Sequence, residues 1–370
     1  MSDQSVLDPA RLEAELSQVL DPVFEKPMRA IGSLVSWRVD GTKVHLAIKL
    51  PSPSPTIAAK AKRRIEEACR RAGAEAVDFE ISIETPMRDV MSDDPIPEVK
   101  NIILVMSGKG GVGKSTVATN LALALSRLGH RVGLLDADVY GPSIPTMMGI
   151  LGHPVGRDGK IAPLERFGIR IMSIGFFLED EKQAVIWRGP MIHNALQQFL
   201  RDVDWGALDF LVLDLPPGTG DVALTMAQRL KVTGVIIVTT PQEVALQDVY
   251  KAVSMCKRLN LPILGVVENM SFFVDSAGHK HEIFGKGGGQ KVAELANAPL
   301  LGQIPLVQAV REQGDAGFPI VIAQPESEVA KVFLSIGEAV IERIARHHFE
   351  RLGGERLPPS KAPARLRIIR

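Results

Sequence analysis

From position 101 onward, seven runs of nearly continuous apolar residues recur along the chain: NIILVMS (101–107), RVGLLDAD (131–138), IRIMSI (169–174), DFLVLDLP (209–216), GVIIVTT (234–240), PILGVVEN (262–269) and PLLGQIP (299–305). Between them lie longer segments whose apolar residues recur with helical spacing. Strands that are apolar on both sides are buried on both faces, which is the signature of a parallel sheet sandwiched between helices. The pattern therefore predicts an α/β fold, a doubly wound and mostly parallel sheet, with ligand chemistry at the carboxyl ends of its strands. The first part of the chain reads differently. Residues 10–20 have helical period, LVSWRVDGTKVHLAIKL (34–50) alternates about an Asp40-Gly41 turn as a hairpin does, a basic helix is expected from Ile57 to Ala72, and AVDFEISIE (76–84) closes as a strand. This is a small α+β pattern.

The proline- and acid-rich stretch ETPMRDVMSDDPIPEVKN (84–101) separates the two patterns. The expected organisation is a small α+β domain over 1–88, a linker over 89–100, the doubly wound α/β domain over 101–350 and a basic tail without packed structure over 351–370. From Glu355 the tail carries five Lys/Arg against one acid. Across all 370 residues, 43 basic side chains balance 43 acidic ones, so no overall charge recruits nucleic acid or a membrane surface. Two cysteines, Cys69 and Cys256, exclude a disulfide framework and point to a reducing, cytoplasmic setting. The acidic N-terminus lacks the apolar core of a secretory signal, and the short, proline-broken SKAPARLRIIR does not suit stable membrane anchoring.

The first apolar run leads directly into SGKGGVGKSTVATNLALAL, which matches G-x-x-x-x-G-K-[ST] from Gly108 to Ser115 in the required strand–loop–helix context. Gly110, Gly111 and Gly113 allow successive backbone N–H groups, with Gly108, Val112 and Thr116 beside them, to face phosphate oxygens. Lys114 is expected at the β/γ phosphates and the Ser115 hydroxyl on Mg²⁺. Val117, Leu121, Leu125 and Leu128 form the helix's buried stripe. The run FLVLDLPPGTGD ends in Asp214, the acid expected to hold Mg²⁺ through water, with the Gly218 N–H near the γ-phosphate. Asp136 and Asp138 close the second run, where either fits a turn cap as well as a site residue. On residue type alone, Lys109 is equally a surface lysine.

Together, SGKGGVGKST, DADVYGPS, DLPPGTGD, ENMS and EIFGKGGG resemble the Mrp/ApbC family of iron–sulfur carrier ATPases, themselves similar to the ParA/MinD class, over nearly all of 100–350. The region around LDPVFEKP resembles the small domain often fused at their N-terminus. The resemblance implies an ATP- and Mg²⁺-dependent homodimer that hydrolyses ATP slowly and serves iron–sulfur apoproteins or assembly factors. It makes Lys109 a lysine that crosses to the partner's phosphates, Asp138 the residue that positions attacking water, and Asn269 a reader of adenine. It implies a [4Fe–4S] cluster shared between protomers through a C-x-x-C pair. A rival expectation is a MinD/ParA-like switch that recruits a partner without carrying a cluster.

The chain departs from the family where that pair belongs. VDSAGH (274–279) has no cysteine, and the loop is instead crowded with Asp275, His279, His281 and Glu282. Those four suit either a zinc or ferrous site, within one protomer or shared across a dimer, or a polar hairpin whose side chains pair with one another. Cys256 sits in a helical pattern as a small buried hydrophobe, and Cys69 reads alike.

Overall fold

The computed structural model describes residues 7–139, 141–177, 189–218 and 221–357. The chain divides into two compact units: Met1–Pro86 with Ile341–Arg370, and Met87–Val340. Residues 341–350, expected with the larger domain, thus group with the smaller one. The expected basic tail falls mostly on 358–370, outside the described residues.

In the smaller unit, the Asp8 side chain accepts from the Ala10 N–H and caps helix Pro9–Ser17, satisfying a donor that the first helical turn leaves unpaired. The hairpin pairs Leu34–Asp40 with Lys43–Leu50, antiparallel. Helix Pro55–Ala72 buries Ile57, Ala61, Ile65, Ala68 and Cys69 and stops at Gly73, whose φ of 101° suits a residue without a side chain. That helix is a crossover, because strand Ala76–Ile83 returns parallel to Lys43–Leu50. The end of the final helix, Glu328–Arg351, completes this unit. Phe349 lies 4.6 Å from Phe24 between ring centroids, and Leu357 N–H donates to Ile31 O.

The larger unit is built on an eight-stranded sheet. Its order is Leu300–Gln303, Ile263–Glu268, Gly234–Thr239, Ile102–Ser107, Phe210–Asp214, Val132–Asp136, Ile169–Ser173 and Leu164–Arg166. All seven expected runs are strands, and all pair in parallel. The eighth strand, Leu164–Arg166, is an antiparallel edge joined through Phe167 and Gly168, both at positive φ as a tight two-residue turn requires. The chain passes to both sides of Ile102–Ser107, so the crevice at that strand's carboxyl end is where ligands bind in open α/β sheets. Helix Lys114–Arg127 is buried on more than its expected stripe, since Ala118, Ala122 and Ala124 are also covered.

The stretch expected to be a linker is packed into the larger unit. Arg88 is 3% exposed, donates to the carbonyls of Val99 and Ile96, and forks onto the Asp94 carboxylate. Composition marked this segment as a boundary, but the Arg88 guanidinium folds it back on itself, Ile96 and Val99 are buried, and Lys100 N–H donates to Leu208 O. Among the described residues no helix is long and apolar enough to cross a membrane.

Candidate functional site

The carboxyl ends of the central strands align in one row. Parallel register places Asp214 opposite Val105 on one side and Asp136 on the other, and Asp136 opposite Ser173. Paired residues of neighbouring parallel strands project to the same face, so the row gathers two carboxylates and a hydroxyl beside the phosphate loop. Lys114, at the start of helix Lys114–Arg127, extends back to this row and is only 6% exposed. Its ammonium donates to Asp214 Oδ1 at 2.6 Å and lies 3.4 Å from both Asp138 Oδ2 and Ser115 Oγ. The sequence-predicted Lys114, Ser115, Asp138 and Asp214 are therefore one cluster.

Electrostatics follow from burial. Asp214 is fully buried, which raises its carboxyl despite the opposing pull of Lys114. Burial first, and then the charge of Asp214, push Asp136 up to about 8. Two adjacent buried acids with one lysine form a site whose ionised form a nucleotide-bound divalent cation would favour. Asp214 Oδ2 is buried and, among the described residues, has no hydrogen-bond partner. That orphan acceptor, next to the Ser115 hydroxyl, fits the expected hold on a metal-bound water.

The loop's backbone has little freedom to vary. A Cβ on Gly108 would lie 2.3 Å from Val249 N, and one on Gly113 would lie 2.2 Å from Asn269 Nδ2, with Gly113 also at φ 82°. Gly111 too is at positive φ, 79°, whereas Gly110 is not. Val112 is buried, while Lys109 is half-exposed and its carbonyl accepts from Ser107 Oγ at 3.0 Å. Thr116 O accepts from the Asn120 amide one turn on. A helix N-terminus that opens on Gly113, with a dipole directed at the loop, is the usual seat of a phosphate.

Two expected roles meet different geometry. The Gly218 N–H, expected near the γ-phosphate, donates to Ser107 O at 2.9 Å. It ties the turn after Asp214 to the phosphate-loop strand, because a buried amide takes the nearest acceptor. Asn269, expected to read adenine, donates from Nδ2 to Val112 O at 2.8 Å. In this structure it braces the phosphate loop.

Sequence reasoning missed Ser173 and Glu268. Ser173 Oγ donates to Asp136 Oδ2 at 2.9 Å. Glu268, 1% exposed, accepts from Ser271 Oγ and Gln303 Nε2, each at 2.7 Å, and from Gly289 N–H. It clamps both ends of the segment that holds the expected metal loop. Both residues carry the signal that identified Asp136 and Asp214: a polar side chain terminating a buried apolar strand.

That loop is a short hairpin, Phe273–Val274 against Lys280–His281. Asp275 Oδ1 accepts from the N–H groups of Ala277 and His279, and Asp275 Oδ2 lies 2.7 Å from His281 Nε2 and 3.5 Å from His279 Nδ1. His281 and the backbone bonds hold the Asp275 carboxyl below its ordinary range. Among the described residues no group of three or more His, Cys, Asp or Glu is placed to hold a metal ion. Of the two readings, mutual pairing is the one seen. Cys69 and Cys256 are both buried, and burial pushes each thiol up to about 11, far from the thiolate that a cluster ligand needs.

Comparison with known proteins agrees with this arrangement. The family model described as a ParA-type NUBPL iron-transfer P-loop NTPase matches residues 98–341. An iron-sulfur cluster carrier protein of Synechocystis is 42% identical over 343 residues, covering 89% of this chain and 96% of the relative. One of Aquifex aeolicus is 58% identical over 251 residues, covering 66% and 68%. Among solved structures, a nucleotide-binding protein of Archaeoglobus fulgidus in complex with ADP is 37% identical with a TM-score of 0.56, covering 65% of this chain and 94% of that one. With a phosphate loop, its lysine and the row of buried acids assembled on a parallel sheet, and with that likeness over most of its length, this chain belongs to the family of iron-transfer P-loop NTPases, which are ATPases.

Proposed function

We propose that this protein is a slowly hydrolysing, ATP-dependent homodimer that takes part in iron–sulfur cluster transfer to apoproteins without holding the cluster through cysteines of its own. The observation that carries the reading is the Lys114 ammonium set between Asp214 and Asp138 at the mouth of the phosphate loop. Mg²⁺ bound with ATP would neutralise phosphate charge. Lys114 exchanges its carboxylate partners for phosphate oxygens, Lys109 supplies a second cation from the partner protomer, and the loop amides orient the chain of phosphates. Asp138, released from Lys114, orients the attacking water. The Ser115 hydroxyl and, through water, Asp214 would hold the Mg²⁺. Such catalysis rests on positioning and electrostatics.

Relatives named as cluster carriers support the cargo. The hairpin without cysteines and the two buried thiols favour a cluster held by a partner protein, whose delivery this ATPase switches. Iron and acid-labile sulfide per protomer after anaerobic reconstitution, measured on the wild type and Cys256→Ala, test this reading. The expectation is nucleotide-dependent dimerisation with no stoichiometric cluster in either protein. A cluster present in the wild type and lost in the variant would overturn it.

A further inference from the structure

The catalytic aspartate expected at position 138 stands on a support that the phosphate-loop motif does not include. Asp138 N–H donates to Asp136 Oδ1 at 3.1 Å, and Ile144 N–H donates to Asp136 Oδ2 at 3.3 Å. The buried Asp136 carboxylate thus holds both the start of the loop that carries Asp138 and the helix, Ile144–Met147, at its far end. What fixes the carboxylate is Ser173. Its hydroxyl donates to Asp136 Oδ2 from the end of the neighbouring strand, where the sheet register sets the two residues side by side. Ser173 Oγ in turn accepts from Gly175 N–H at 3.0 Å. Gly175 itself faces the same loop: a Cβ there would lie 3.1 Å from Pro145 and 3.3 Å from Pro142. Ser173 is 0% exposed, and its hydroxyl is engaged by Asp136 and Gly175.

We infer that Ser173 is a positioning residue for ATP hydrolysis: through Asp136 it fixes the loop that aims Asp138 at the γ-phosphate. The inference rests on the reading that Asp138 orients the attacking water. Without the hydroxyl, Asp136 retains only weaker restraint, and the Asp138 backbone gains freedom where an error in geometry costs rate more than affinity. The phosphate loop and Lys114, which bind the nucleotide, are left untouched.

The test compares wild type, Ser173→Ala, Ser173→Thr and Asp138→Asn in steady-state ATP hydrolysis, ADP affinity and thermal midpoint. The expected result is a kcat for Ser173→Ala lower by about tenfold, the size of effect a lost buried hydrogen bond has on a barrier. KM and ADP affinity stay within about twofold, and Ser173→Thr, which keeps the hydroxyl, recovers most of the rate. A Ser173→Ala enzyme that hydrolyses ATP like the wild type, that loses affinity in step with rate, or that is matched by an equally slow Ser173→Thr overturns the inference. Asp138→Asn separates the two levels: if it abolishes hydrolysis while Ser173→Ala hydrolyses ATP like the wild type, only the inference falls. If Asp138→Asn is fully active, the role of Asp138 falls and the inference with it.

Discussion

Gly113 shows how closely single residues are specified. Its φ of 82° is a conformation that side chains rarely adopt, and a Cβ there would collide with Asn269 Nδ2 at 2.2 Å. Gly113→Ala is expected to cost about 1–2 kcal/mol from backbone strain alone. It should weaken ADP binding at least tenfold by calorimetric titration, since the strained turn reshapes the loop and Asn269 must give up its bond to Val112 O to relieve the contact. Gly113→Ala with Asn269→Ala removes the collision but not the strain, so it should recover part of the affinity. A double variant no better than the single one would assign the whole effect to φ. Glycine at this position was legible from the motif. That Asn269 is the atom it makes room for was not, because the two are distant in sequence and meet only through the sheet.

At the scale of elements, the amino ends of the central strands are joined by one carboxylate. Asp209, just before strand Phe210–Asp214, accepts from Arg131 N–H at 3.0 Å and Arg131 Nη2 at 3.2 Å, and pairs with Lys100 at 2.9 Å. Arg131 and Lys100 each lie near the start of a neighbouring strand, so the cluster fixes the register that later brings Asp214, Asp136 and Ser173 level. Burial alone would raise this carboxyl, but Arg131 and Lys100 outweigh it and hold it down at about 2. A depressed carboxyl contributes stability above its unfolded value of 3.8, and that contribution disappears as pH falls through about 2. Asp209→Asn should therefore lose roughly 2 kcal/mol in urea unfolding at neutral pH. The difference from wild type should shrink below pH 4, and a difference independent of pH would contradict the assignment. The elements themselves were readable: each apolar run is a strand, because burial on both faces leaves a continuous apolar signature. The edge strand Leu164–Arg166 was missed, since its only partner lies across a tight turn and its side chains alternate with solvent.

At the scale of the molecule, the smaller unit depends on residues from the far end of the chain. Phe349 is 5% exposed against Phe24, and Lys26 bonds to Gly354 O. Phe349→Ala is expected to destabilise that unit by about 3–5 kcal/mol, as loss of a buried ring does. Hydrogen exchange reads this selectively, with amides of Leu34–Asp40 and Lys43–Leu50 losing protection while those of Ile102–Ser107 keep theirs. Equal loss in both units would make the chain a single cooperative body instead. By itself, the sequence determined the parallel α/β sheet, the phosphate loop and the acids at strand ends, because these are written in local periodicity and in residues adjacent along the chain. Only the tertiary structure decided that Ser173 supports Asp136, that Glu268 clamps the hairpin, that Asn269 braces the phosphate loop and that the expected linker packs into the fold where Lys100 N–H meets Leu208 O. Each of those contacts joins a residue to atoms that its own strand or turn does not contain, and register, burial and chain crossing set them after the local pattern has been spent.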